Sequence, residues 1–145
     1  MAITQAIANA FKKQLLEGDQ NFASGGDKFK LALYSSSATL NSATTSYTTS
    51  QEVPNSGTYA AGGGALTGQN TSIASGVAIV DFGELSFTGV TLTARGALIY
   101  NTSSAVTNAA VAVLDFGADK TATSGTFTVQ FPAFTTAAAI LRISG

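Results

Sequence analysis

The 145-residue chain has no cysteine, no histidine and no tryptophan. Without thiols there is no disulfide framework and no thiolate metal site. Without imidazole the commonest general base, the commonest metal ligand and the usual switch near neutral pH are lost together. Ionic groups are scarce as well. Asp, Glu, Lys and Arg make up 10% of the residues, against about 25% in an ordinary soluble domain. A net charge of −1 provides no basic field for nucleic acid or an anionic membrane. No segment approaches the roughly 20 apolar residues that span a bilayer. The run Met1-Ala2-Ile3-Thr4-Gln5-Ala6 has no basic residue ahead of its apolar part, and Lys12-Lys13 follow it. It does not read as a signal peptide, so we expect a protein made in the cytoplasm and kept there until it assembles.

Ala, Ser, Thr and Gly stand where the charges would be, and the surface must be built largely from them. Such a surface is flat and weakly hydrated, and burying it immobilises few long side chains. That suits permanent lattice contacts; it equally suits a stable secreted domain with few charges. The length fits one domain, residues 1–145, able to bury roughly two-thirds of its unfolded surface.

Ile3, Ile7, Phe11 and Leu15 recur every fourth position and form an apolar stripe on a helix. The spacing predicts a helix over about 4–17, with Thr4 as N-cap, Gly18 as the stop and Lys12 and Lys13 complementing the dipole. Residues 1–18 are thus an N-terminal helical segment, its stripe packing on the domain or docking on a partner. Residues 28–145 read as β. Phe29, Leu31 and Leu33 alternate with Lys28, Lys30 and Ala32, a half-buried strand. Residues 35–76 are rich in Ser, Thr, Gly and Asn, with scattered anchors such as Leu40, Tyr47, Val53, Tyr59, Leu66 and Ile73. So long a loop has a role or hides short strands. We expect an extended surface arm with strands near Thr58–Ala60 and Ala65–Thr67.

Val77–Phe82 is apolar on both faces, which suggests a central strand. From Leu85 to Leu92 the apolar phase changes at Gly89, as a β-bulge would write it. Ala97–Tyr100, Val111–Phe116, Phe127–Phe131 (ended by Pro132) and Ile140–Ile143 complete the set. About eight strands separated by turns predict a mainly β, antiparallel sandwich or barrel, of which the jelly roll is the eight-stranded form. Val77–Gly83 and Val111–Gly117 resemble each other, which suggests two strands in similar positions, each ending in the same turn.

Candidate chemistry is sparse. Asp81-Phe82-Gly83 and Asp115-Phe116-Gly117 spell the kinase metal-binding tripeptide, but no other kinase motif accompanies them, and a turn with Phe inward is expected instead. Asp115 and Asp119 offer too few oxygens for calcium; a turn with a local ion pair to Lys120 is expected. Glu52, Asp81, Glu84 and Asp115 are isolated acids with nothing to pair them as a glycosidase requires. Serine without histidine assembles no familiar triad. Gly62-Gly63-Gly64 and Gly25-Gly26 lack the ending of a phosphate loop. Tyr34, Tyr47, Tyr59 and Tyr100 could form a sugar-stacking platform, although ordinary packing suits four scattered tyrosines better. We expect no enzyme, no cofactor and no metal.

Several segments carry a resemblance: Phe29-Lys30-Leu31-Ala32-Leu33-Tyr34, Ser37-Ala38-Thr39-Leu40-Asn41 running on to Tyr47 and to Glu52-Val53, and Tyr59-Ala60-Ala61-Gly62-Gly63. They continue with Ala94-Arg95-Gly96-Ala97-Leu98-Ile99-Tyr100-Asn101, Ala112-Val113-Leu114-Asp115-Phe116-Gly117 and Phe127-Thr128-Val129-Gln130-Phe131-Pro132. In this order they resemble the small Ala/Thr/Ser-rich virion proteins of tailed bacteriophages. Thr58 departs from the family's usual Gly before the loop tyrosine. The resemblance implies a head decoration, or cement, protein with a jelly-roll-like β-sandwich. It would sit on the outer capsid as a homo-dimer or homo-trimer and bridge neighbouring major capsid subunits, with no nucleic acid, membrane or small-molecule substrate as partner. The candidate assembly contacts are Ile3, Ile7, Phe11 and Leu15 on the helix and Tyr47, Val53 and Tyr59 in the arm. A tail or fibre component of the virion and a carbohydrate-binding β-sandwich module are the alternatives, with a hydrolase behind them.

Overall fold

The alternation at residues 29–33 becomes strand β2 (Phe29–Tyr34), in which every residue except Lys30 is buried. Burial on both faces requires cover on both sides, and the chain supplies it from two directions. The computed structural model describes residues 2–132 and 140–144. Within them β1 (Ala6–Ile7), β2, β3 (Gly64–Ala65), β6 (Leu85–Asn101) and β7 (Ala109–Val129) make a five-stranded sheet in the order β1-β7-β6-β2-β3. A second sheet, β4-β5-β8, is formed by β4 (Asn70–Ala74), β5 (Val77–Asp81) and β8 (Leu141–Ile143). All these pairings are antiparallel. The mainly β expectation holds, as two sheets of five and three strands with one short helix α1 (Asn9–Leu16).

The spine is the β6–β7 hairpin, of 17 and 21 residues. The segments read separately from sequence, Leu85–Leu92 with Ala97–Tyr100 and Val111–Phe116 with Phe127–Phe131, are largely absorbed into these two continuous strands. Bulges carry the chain through the intervening polar stretches. The phase change at Gly89 is real: the register shifts between Phe87 and Val90, with Gly89 at φ +61°. Gly117 (φ +80°) and Ser124 (φ +45°) lie at two further irregularities. The Asp115–Lys120 turn expected from sequence is therefore a bulged strand. Gly117 N donates to Asp115 Oδ1 at 2.8 Å, satisfying locally a donor that leaves the ladder. The two similar segments also part company. Val77–Asp81 is the central strand of the small sheet and ends there, whereas Val111–Phe116 lies in the first half of β7 and continues without a break.

The helix is shorter than its stripe. Ile3 bridges Leu40, and Ala6 and Ile7 pair with Val113 and Ala112, before α1 begins at Asn9. A spacing of four is also even, so Ile3 and Ile7 fit a two-residue period equally well. Thr4 is not the N-cap; Ala8 is, without a side-chain cap. The first amide groups are satisfied instead by backbone, Ala8 N on Val111 O at 3.0 Å and Asn9 N on Ser42 O at 2.8 Å. Gly18, at φ +80°, is the stop read from sequence.

An aromatic seam joins the sheets. Phe22, from the loop after α1, stacks on Phe29 of β2 with centroids 4.5 Å apart, and meets Phe11 at 5.8 Å and Phe82 at 6.2 Å. Phe82, just beyond β5, also touches Phe29 and Phe131, each at 5.7 Å. Each buried ring contributes about 1.5–3 kcal/mol by leaving water. Asn101, wholly buried at the end of β6, fixes the loop that carries Phe22. Its Nδ2 donates to Gln20 Oε1 (2.9 Å) and Asp27 Oδ2 (2.7 Å), and its Oδ1 accepts from Ser103 N and Ser104 N.

Candidate functional site

Two places gather unusual residues, and both involve the arm or the helix. The first is a cluster of all four tyrosines around one carboxylate. β2 presents Tyr34, β6 presents Tyr100, and the arm crosses β2 through Ser35 N to Gln51 O (3.0 Å) and Val53 N to Leu33 O (3.0 Å). That crossing pairs Glu52 with Tyr34 and brings Tyr47 and Tyr59 alongside. Tyr47 Oη and Tyr59 Oη each donate to Glu52 at 2.6 Å, and Gly62 N donates at 2.8 Å. Tyr59 Oη also accepts from Leu33 N (2.9 Å); Tyr34 Oη donates to Thr48 O and Tyr100 Oη to Gly62 O, both at 2.6 Å. Tyr47 and Tyr100 stack at 4.8 Å.

Burial, reinforced by the negative charge of Glu52, pushes the Tyr100 phenol up from 10.0 to about 12. Tyr34, Tyr47 and Tyr59 are pushed higher still, first by burial and then by Glu52. Every ring is therefore a neutral donor at physiological pH, with its hydroxyl already engaged. Chemically the cluster is a clamp that fastens the arm to the sheet. As a sugar platform it has little to offer, because Tyr34, Tyr59 and Tyr100 are buried and Tyr47 is half-buried.

The second place is the end of the molecule where α1 faces the small sheet. Ile7, Phe11 and Leu15 line a groove of about 120 Å³ whose other wall includes Thr71, Val80 and Leu141. Three large apolar side chains near it stand in solvent: Leu16 at 90% exposure, Ile73 at 73% and Ile143 at 58%. In a chain so poor in charge, these side chains gather much of its exposed apolar surface at one end. It continues along the outside of α1 past Lys12, Leu16 and Arg142.

The seven contacts read from sequence divide between these places and the core. Ile3, Phe11, Val53 and Tyr59 are buried inside the domain. Ile7 and Leu15, half-buried, line the groove, and Tyr47 belongs to the clamp. The sequence pattern marks neither Leu16 nor Ile143 as a contact, and Ile73 stands in it as one anchor among several. The stripe marked only the inward side of the helix. Leu16, immediately after Leu15, was the available signal for the other side.

Asp115 and Asp119 do not pair with Lys120. Both face Arg95 on the adjacent strand, Asp115 Oδ1 at 3.7 Å from Nε and Asp119 Oδ1 at 3.8 Å from Nη1. The bulge turns these acids back over β6, and at such separations on a part-exposed surface the pairs contribute about 0–1 kcal/mol. Among the described residues no three His, Cys, Asp or Glu side chains group as a metal site. No family model, curated protein or solved structure matches the chain.

Proposed function

We propose that the chain is a structural virion protein of a tailed bacteriophage, a capsid decoration or cement protein that bridges and stabilises major capsid subunits. The observation that supports it best is the apolar end of the molecule, with Leu16 almost fully exposed on a surface where ionic groups are rare. Such a patch marks a contact site, and small polar residues around it are cheap to order. The five- and three-stranded sheets stand, in this proposal, as a form of the jelly-roll-like sandwich. The protein acts as a homo-dimer or homo-trimer on the outer capsid surface, without cofactor or substrate. Each copy binds the assembled shell more tightly than its free subunits and so shifts the equilibrium toward the shell. Modest free energy per contact suffices when many copies bind.

The test is occupancy of purified heads by Leu16→Ser, which leaves the core untouched. Occupancy reduced at least severalfold relative to the parent supports the capsid role. Parent protein that never binds heads removes it, and labelled copies found on the tail replace it with the tail or fibre role.

A further inference from the structure

We infer that this chain self-associates as a two-fold dimer by antiparallel pairing of β4 with β4 of a second copy, centred on Ser72. The inference rests on the assembly role above for its premise that copies meet. It adds the surface through which they do so.

β4 is the outer strand of the small sheet, and all five of its residues are exposed. It pairs with β5 in unbroken register from Asn70↔Asp81 to Ala74↔Val77 across the two-residue turn Ser75-Gly76. The Ala74–Val77 pair closes that turn through a hydrogen bond. Antiparallel alternation then turns Asn70, Ser72 and Ala74 toward β5, and leaves the N–H and C=O of Thr71 and Ile73 pointing outward. No loop or side-chain hydrogen bond among the described residues reaches these four groups.

An open edge invites another strand, and natural proteins guard against this with charge, proline or bulges. β7 is so guarded. Beyond its two pairings with β1 it carries Asp115, Asp119 and Lys120, irregularities at Gly117 and Ser124, and a cap of Gln5 Oε1 on Asp115 N. β4, Asn-Thr-Ser-Ile-Ala, has no charge, no proline and no bulge.

The edge also complements itself. With Ser72 opposite Ser72 of the other copy, Thr71 pairs with Ile73 on both sides of the axis. All four outward groups of each strand are then satisfied, in four bonds. The same register brings a further isoleucine to the rim of the groove. Pairing rows place Thr71, Val80 and Leu141 on one face, and Ile73, Ala78 and Ile143 on that face one step toward the turn. The incoming Ile73 stands beside Thr71, at the wall of the groove lined by Leu15 and Phe11. A second copy thus accounts at once for the unguarded edge and for the exposed isoleucine beside the groove, while Leu16 stays outside the pairing.

The chain's lack of cysteine gives a direct test on the isolated protein. Ser72→Cys introduces its only thiol, and the two thiols would face each other across a non-hydrogen-bonded pair, where Cα atoms lie about 4.5 Å apart, within disulfide reach. Under mild oxidation it should form a covalent dimer at least tenfold faster than the exposed turn control Ser75→Cys. Sedimentation equilibrium should show a dimer for the parent chain. Ile73→Pro removes one outward N–H per copy, two of the four bonds, and should weaken the dimer by about tenfold or more. Its β5 ladder stays intact, as circular dichroism would check. A parent chain monomeric at every concentration overturns the inference, as does Ser72→Cys crosslinking no faster than the control. A dimer that nonetheless fails to bind heads would count against the capsid role alone.

Discussion

Truncating Glu52 tests whether the tyrosine clamp holds the arm. Three donors converge on its carboxylate, two phenols at 2.6 Å and Gly62 N at 2.8 Å. A hydrogen bond to a charged group contributes about 1.5–3 kcal/mol. In Glu52→Ala the half-buried Tyr47 hydroxyl finds water and adds little. Tyr59, 1% exposed, and Gly62 are buried, so these two donors lose an acceptor that water cannot replace. The expected loss is about 3–5 kcal/mol, a large fraction of the roughly 5–15 kcal/mol that a domain commands. At roughly 3 °C per kcal/mol for a chain of this size, Tm should fall by roughly 9–15 °C. Glu52→Gln retains an acceptor for Tyr59 and Gly62 and turns its amide NH₂ toward the Tyr47 hydroxyl, which then accepts. It loses only the charge assistance, about 1–2 kcal/mol. Urea unfolding read by far-UV circular dichroism and by tyrosine emission, which no tryptophan obscures, measures both. A loss below about 1 kcal/mol for Glu52→Ala, the size of a surface change, refutes the clamp. Equal losses for the two variants would show that charge alone matters.

Stability should decline at alkaline pH. Folded phenols titrate above the ordinary 10.0, with Tyr100 at about 12, so the unfolded chain releases protons first. The contribution is whole below pH 10 and drains away as pH rises through the folded values; tyrosinate absorbance should rise together with unfolding, and ionisation of the folded protein near 10 would contradict this. Gly63→Ala should cost about 3 kcal/mol or more, because at φ +84° a Cβ would be driven into the Leu31 carbonyl; Gly76→Ala, at φ +75° in open space, should cost about 1 kcal/mol, and comparable urea midpoints would undo the distinction. Asn101→Ala leaves the buried Gln20 Oε1 and Asp27 without their shared donor, while the exposed Ser103 amide finds water, and should cost about 2–4 kcal/mol; amide exchange at residues 17–28 should accelerate, and unchanged exchange there would show that the loop is held otherwise.

Local rules were legible in the sequence to the extent that the structure is local. Alternation located β2, and the phase change located the Gly89 bulge, because both arise within a few residues. The long strands were not legible as single elements. Their outer portions, such as Thr121 to Thr126, are polar because one face meets solvent, and Gly117 and Gly125 imitate turns. The helix start misled because a spacing of four satisfies two periods at once. Asp115 and Asp119 found Arg95 across a strand pair, where proximity in sequence pointed to Lys120. The clamp left no periodic trace at all. Tyr34, Tyr47, Glu52, Tyr59 and Tyr100 come together only when the arm folds across β2 and β6, and an isolated acid among tyrosines was the one hint.

The order in which partners occur along the chain has a consequence for its birth on the ribosome. β2 borders β6 from Phe29↔Asn101 to Tyr34↔Gly96, and β1 waits for Ala112 and Val113. Asn101 likewise holds the loop near Gln20 and Asp27. Until the β6–β7 hairpin emerges, the first half has only its own short pairings, such as Lys30↔Ala65 and Val53 N on Leu33 O, to lean on. Only then does closure of long loops become worthwhile, so maturation is a late, collective event: a polypeptide cut short before residue 96 leaves β2 without β6, and one cut before residue 112 leaves β1 without β7.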